Sequence, residues 1–77
     1  MKQESLPRYG AFLERGKIIA LQTDGQGNTT GYNVESYDRP GIVAEGLTGM
    51  NGFSAEIGGK VFFYFFDDGT GLILRQI

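Results

Sequence analysis

The sequence predicts an all-β protein folded as one small five-stranded barrel, and three observations point there. Thirteen of the 77 residues are glycine, neither periodic nor clustered, and they fall between short apolar runs where turns, bulges and barrel corners need them. Six Phe and four Tyr supply β-formers without a single Trp, Cys or His. Near the C-terminus, Asp67-Asp68-Gly69-Thr70-Gly71 separates the run from Val61 to Phe66 from the run Leu72 to Leu74. Asp-Gly between two apolar runs signals a hairpin, because glycine accepts the positive φ such turns need.

Taken in order, residues 1–8 read as a flexible arm, with Pro7 biasing Leu6 towards extended backbone. Residues 9–77 read as a single barrel domain. Tyr9 to Leu13 is apolar but broken by Gly10, so it is expected to start a long first strand or to pack Tyr9 and Phe12 onto the barrel. Gly16 to Thr23 is the first clear strand, with Lys17, Ile19 and Leu21 on one face and Ile18, Ala20 and Gln22 on the other. Asp24-Gly25-Gln26-Gly27-Asn28 is a turn cluster. Thr29 to Tyr37 alternates as a half-buried strand, and Asp38-Arg39-Pro40-Gly41 breaks it. Ile42 to Leu47 is a shorter third strand, and Gly49-Met50-Asn51-Gly52 is a turn. Phe53 to Ile57 is a connector, with room for one helical turn, and Gly58-Gly59 leads into the last hairpin.

Five short strands with a long connector between the third and fourth give a small barrel of OB-like form, with an SH3-like barrel as the alternative. The expected core is Ile19, Leu21, Val34, Ile42, Val61, Phe63, Phe65, Leu72 and Leu74, with Tyr32 turned in beside them and Glu35 and Arg75 outside. The fourth strand is apolar on both faces. Val61, Phe63 and Phe65 point one way and Phe62, Tyr64 and Phe66 the other. A small barrel has one interior, so the second row needs a cover. Three are open: the N-terminal segment through Leu6, Tyr9, Phe12 and Leu13, a second copy of the chain, or a ligand. Under the second, Phe62, Tyr64, Phe66 and Ile73 form a self-association surface and the protein is a homo-oligomer.

Composition excludes several classes. Without Cys there is neither a disulfide framework nor a thiolate site, and without His the usual general base and the commonest metal ligand are missing. Asp67 and Asp68 are adjacent carboxylates, but neighbours in a turn point apart, so they read as a solvated hairpin and not as an acid–base pair. Asp24, Gln26, Asn28 and Thr30 alternate ahead of Glu35 with the ligand spacing of an EF-hand loop, but Thr29 stands where that loop needs glycine and the flanks are strands. No catalytic residue, metal, cofactor or small-molecule substrate is therefore expected, and the chain reads as a binding module and not an enzyme. No apolar run approaches the roughly 20 residues of a membrane span, and the first ten lack a signal-peptide core, so cytoplasmic localisation is expected.

The net charge of −2 is unlike a strongly basic nucleic-acid binder, though a mildly acidic domain can carry a local basic face. A single-strand platform sets aromatic rings for base stacking beside cations that follow the phosphates. Arg15, Lys17, Tyr37, Arg39 and Phe53 are the candidates for such a surface, and single-stranded DNA or RNA its partner.

Two families resemble this chain over most of residues 15–77. The opening Gly-Lys-Ile-Ile of residues 16–19 and the ending Glu56-Ile57-Gly58-Gly59-Lys60-Val61-Phe62-Phe63, then Asp67-Asp68-Gly69-Thr70-Gly71, are similar to the cold-shock domain. That resemblance implies an OB-like fold and single-strand binding. The chain departs from it where the family's aromatic platform lies, since residues 30–34 offer only Tyr32, residues 41–45 no aromatic, and Ala20 stands about where the family has Trp. The same ending, with its first strand Arg15-Gly16-Lys17-Ile18-Ile19-Ala20-Leu21, also resembles the OB-like module of phage baseplate and spike proteins. That resemblance implies a non-catalytic assembly protein of phage or prophage origin.

Overall fold

A computed structural model of the chain describes residues 13–77. The arm expected over residues 1–8 and the cover expected from Leu6, Tyr9 and Phe12 lie outside the described residues. Five strands follow: β1, Glu14–Thr23; β2, Thr29–Ser36; β3, Val43–Gly49; β4, Lys60–Phe65; and β5, Gly71–Gln76. Among the described residues, no helix is long and apolar enough to cross a membrane.

The strands close into a barrel in the order β1-β2-β3-β5-β4, with β4 returning to β1. Every neighbouring pair is antiparallel except β3 and β5, which run parallel through Thr48–Leu72 and Gly49–Ile73. A parallel pair cannot be joined by a tight turn. The 50–59 connector and the β4–β5 hairpin carry the chain round instead, as the OB-like form expects of a long third connection.

Two hairpins are closed by the same device. Gly27 N–H donates to Asp24 C=O at 3.2 Å, and Gly69 N–H to Phe66 C=O at 2.9 Å. The two glycines have φ of 86° and 92°, where a side chain would strain the backbone. An aspartate then ties each loop. Asp24 Oδ1 accepts the backbone N–H of Gln26 and Asn28, and Asp68 Oδ1 accepts the N–H and hydroxyl of Thr70. These are Asx turns, so the oxygen-rich spacing from Asp24 serves loop closure. Among the described residues, no group of three or more acidic side chains is placed to hold a metal ion.

The core consists of Ile18, Tyr32, Val34, Ala44, Leu47, Val61, Phe63 and Ile73, with Leu21, Phe53, Ala55 and Phe65 packed against it. The expected phase holds on β2 and β4. It fails on β1, β3 and β5, and β-bulges account for β1 and β5. On β1 the register with β2 slips between Ile18 and Ala20, which turns Ile18 inward and leaves Ile19 37 % exposed, while Leu21 regains the core side. On β5 it slips between Ile73 and Arg75, so Ile73 is buried and Leu72 and Leu74 are only half-buried. Ile42 precedes β3 and is exposed, and Ala44 and Leu47 fill the place expected for it.

Candidate nucleic-acid interface

β1, β4 and β5 form one continuous wall of the barrel, and its outward side chains follow from the buried ones. Gly16 and Ile18 face in on β1, so Arg15 and Lys17 face out; Val61 and Phe63 face in on β4, so Lys60, Phe62 and Tyr64 face out. Register aligns them in rows. Phe62 stands opposite Arg15 on one side and Arg75 on the other. Tyr37 continues this row beyond β1, because its N–H donates to Arg15 C=O at 2.8 Å. Across four segments the row reads Tyr37, Arg15, Phe62, Arg75, with aromatic and cation in alternation. In the neighbouring row Lys17 stands opposite Lys60. Beyond Phe62, Tyr64 lies opposite Leu72 and meets Phe66 edge to face at 5.6 Å between centroids.

Four of the five Lys and Arg among the described residues lie here. The chain has seven Lys and Arg. Lys2 and Arg8 are outside the described residues. Arg39 is held by Glu14, as set out below. The remaining four, Arg15, Lys17, Lys60 and Arg75, are on this wall. Two carboxylates border it at the β1 margin: Asp38, on Arg15, and Glu35, opposite Lys17. The outer face of β2 and β3 is of opposite character, carrying Asn33, Glu35, Val43 and Glu45, with no aromatic ring and two negative charges.

The two sets of residues expected from the sequence therefore meet on one surface, with three exceptions. Arg15, Lys17 and Tyr37 from the first join Phe62, Tyr64 and Phe66 from the second. Arg39 is engaged elsewhere. Phe53 is half-buried against the core, edge to face with Tyr32 at 5.2 Å. Ile73 is wholly buried, so it adds nothing to the outer row. Lys60 and Arg75 complete the wall and were not expected. Lys60 was legible, since 60, 62, 64 and 66 share one strand phase. Arg75 was not assigned to the row because the bulge at Leu74 resets its register against β4.

The loop between β2 and β3 anchors the β1 end. Arg15 donates to Asp38 twice, from its backbone N–H at 2.9 Å and from Nη2 at 3.1 Å. The backbone bond first, and the guanidinium second, hold the Asp38 carboxyl below its ordinary value. Beneath lies a buried network. Glu14 is 5 % exposed, and Arg39 Nε donates to its Oε1 at 3.2 Å while Nη2 donates to Oε2. The Ser36 hydroxyl donates to Glu14 Oε1 at 2.6 Å and accepts the N–H of Asp38 and Arg39. The Arg39 guanidinium also covers the Phe65 ring at 4.8 Å, and Glu14, with a smaller push from Asp67, raises it above its ordinary value.

Asp24 and Asp68 are lowered too, chiefly by the backbone N–H of Asn28 and of Thr70 respectively. Depressed folded values mean stability that is present above the unfolded carboxyl value of about 3.9 and is lost as pH falls through the folded values. The urea midpoint is expected to be level between about pH 7 and pH 5 and to drop by about pH 2.5. Replacing Asp24, Asp38 and Asp68 together by Asn should shrink that drop, and an undiminished drop would assign it to other groups.

Comparison with protein-family models, with curated proteins and with solved structures finds no match for this chain.

Proposed function

We propose that this protein is a non-catalytic module that binds single-stranded nucleic acid on the outer wall of β1, β4 and β5. The observation that carries this reading is the row Tyr37, Arg15, Phe62, Arg75, because bases need ring faces and phosphates need cations beside them. Alternate residues of an extended strand repeat about every 7 Å. Phe62, Tyr64 and Phe66 thus offer successive rings along the path of an extended polynucleotide. The reading agrees with the activity that the cold-shock resemblance implies but moves it to a different wall, since the β2–β3 face is acidic.

Self-association through the aromatic row, the second reading and the one that fits the phage-module resemblance, fares worse on electrostatics. Two copies face to face would bring Lys60 and Arg75 of each towards those of the other around the same rings, and like charges juxtaposed in an interface cost several kcal/mol. An anionic polymer meets the same surface with complementary charge.

Fluorescence anisotropy with labelled single-stranded DNA and RNA tests this, with light scattering on the same samples. Binding at low salt is expected to weaken as salt rises, with a log–log slope of about −0.7 for each phosphate engaged. Lys60→Ala and Arg75→Ala should each flatten the slope by about that amount, and Phe62→Ala should cost about 1–3 kcal/mol of binding. No signal with either strand at low salt, together with a dimer that Tyr64→Arg dissociates, would establish the assembly reading in its place.

A further inference from the structure

At the Lys60 end the wall runs into a hollow of about 370 Å3, lined by Ser54, Ala55, Glu56, Ile57, Gly59 and Gln76. That volume is near the lower end of the roughly 300–1,000 Å3 of small-ligand sites, the scale of one nucleobase with its sugar. Two covalent neighbours join it to the wall: Gly59 precedes Lys60, and Gln76 follows Arg75. The floor is a tight turn in which Gly59 N–H donates to Glu56 C=O at 2.9 Å. Gly59 has no side chain to fill the space, and Gln76 Nε2 lies 3.3 Å from where its Cβ would stand. The Gln76 carboxamide, a donor and an acceptor, therefore borders the hollow, and Glu56 is among the residues that line it.

We propose that this hollow is a base-recognition pocket selective for guanine at the end of a strand bound along the wall, an assignment that rests on the nucleic-acid reading above. Charge decides which part of a nucleotide enters. The one ionised residue of the lining is Glu56, which repels phosphate, whereas Lys17, Lys60 and Arg75 outside the rim attract it. The base therefore turns in and the backbone stays on the wall. A carboxylate only accepts hydrogen bonds. Guanine alone among the four bases presents two adjacent donors, N1–H and the N2 amino group, on its pairing edge, and they match the two oxygens of Glu56 as a fork. Cytosine and adenine each set a ring-nitrogen acceptor beside their single amino group, and thymine and uracil flank one N–H with two carbonyls. The Gln76 amide is then free to donate to guanine O6 or N7, as side-chain donors do at that edge.

The test uses short labelled thymidine strands carrying guanine, cytosine or adenine at one end, each end in turn, titrated against the intact protein. A terminal guanine is expected to raise affinity about tenfold over the all-thymine strand, the worth of roughly one good base contact. Glu56→Gln and Gln76→Ala should both remove that advantage; Gln76→Ala should leave the all-thymine affinity unchanged, whereas Glu56→Gln, which removes a charge that repels phosphate, should raise the affinity of every strand alike. Equal affinity for all the strands, a preference for cytosine or adenine, or a guanine advantage that survives Glu56→Gln overturns the pocket while the wall stands. Failure of the all-thymine strand and every other strand to bind overturns wall and pocket together.

Discussion

Phe63→Ala is expected to remove most of the protein's stability at room temperature. Phe63 is wholly buried, and its ring stacks with Phe65 at 5.9 Å between centroids. It rests where Gly16 leaves room, since a Cβ on Gly16 would come within 2.7 Å of Phe63 Cε1 and of the Glu35 carbonyl oxygen. Ring and glycine thus fit as one unit across β1 and β4. Truncating a buried Phe costs about 3–5 kcal/mol, made of lost transfer energy and of the cavity left behind. Small domains have total stability near the lower end of about 5–15 kcal/mol, so little would remain. Urea unfolding followed by far-ultraviolet circular dichroism reads the effect. Phe62→Ala, one residue along and on the outside, is the control and should shift the midpoint far less. Similar midpoints for the two variants would contradict the strand phase on which the whole wall depends.

Arg39→Ala is expected to destabilise the fold by about 3 kcal/mol, near the lower bound for stripping a buried charge of its partner. Arg39 is about half exposed, but the carboxylate it satisfies is not, with side-chain exposures of 48 % and 5 % for Arg39 and Glu14. Removing the guanidinium leaves Glu14 with the Ser36 hydroxyl as its one side-chain donor among the described residues and uncovers the Phe65 ring. The orphaned carboxylate, more than the lost attraction, sets the size of the effect. The double variant Glu14→Met with Arg39→Met should therefore recover most of the loss, since replacing a buried pair by apolar groups is often neutral. Equal urea midpoints for Arg39→Ala and the double variant would trace the loss to the loop backbone instead. In either variant the affinity of folded protein for single strands is expected to match wild type, because Arg39 faces the network beneath the loop and not the wall.

The sequence by itself determined the all-β class, the five strands to within a few residues, both Asp-Gly hairpins and the two-faced character of β4. Each is a local property: apolar run length, alternation along one strand, and glycine where φ must be positive. The phase of Val61 and Phe63 was likewise legible, because nothing interrupts β4. Tertiary structure decided what depends on pairing. The bulges in β1 and β5 moved Ile18 and Ile73 into the core and Ile19 out of it, since one extra residue reverses every side chain beyond it. Barrel closure placed Arg15 and Arg75 on either side of Phe62, residues separated by 47 and 13 positions in the chain and brought together only by register. Closure also engaged Arg39 and Phe53 away from the wall, one to satisfy a buried carboxylate and the other to pack on Tyr32. Charge count alone describes a mildly acidic protein. Only the fold collects four of the five described cations onto one wall, because the twisted, closed sheet gathers alternate residues from three strands onto the same face.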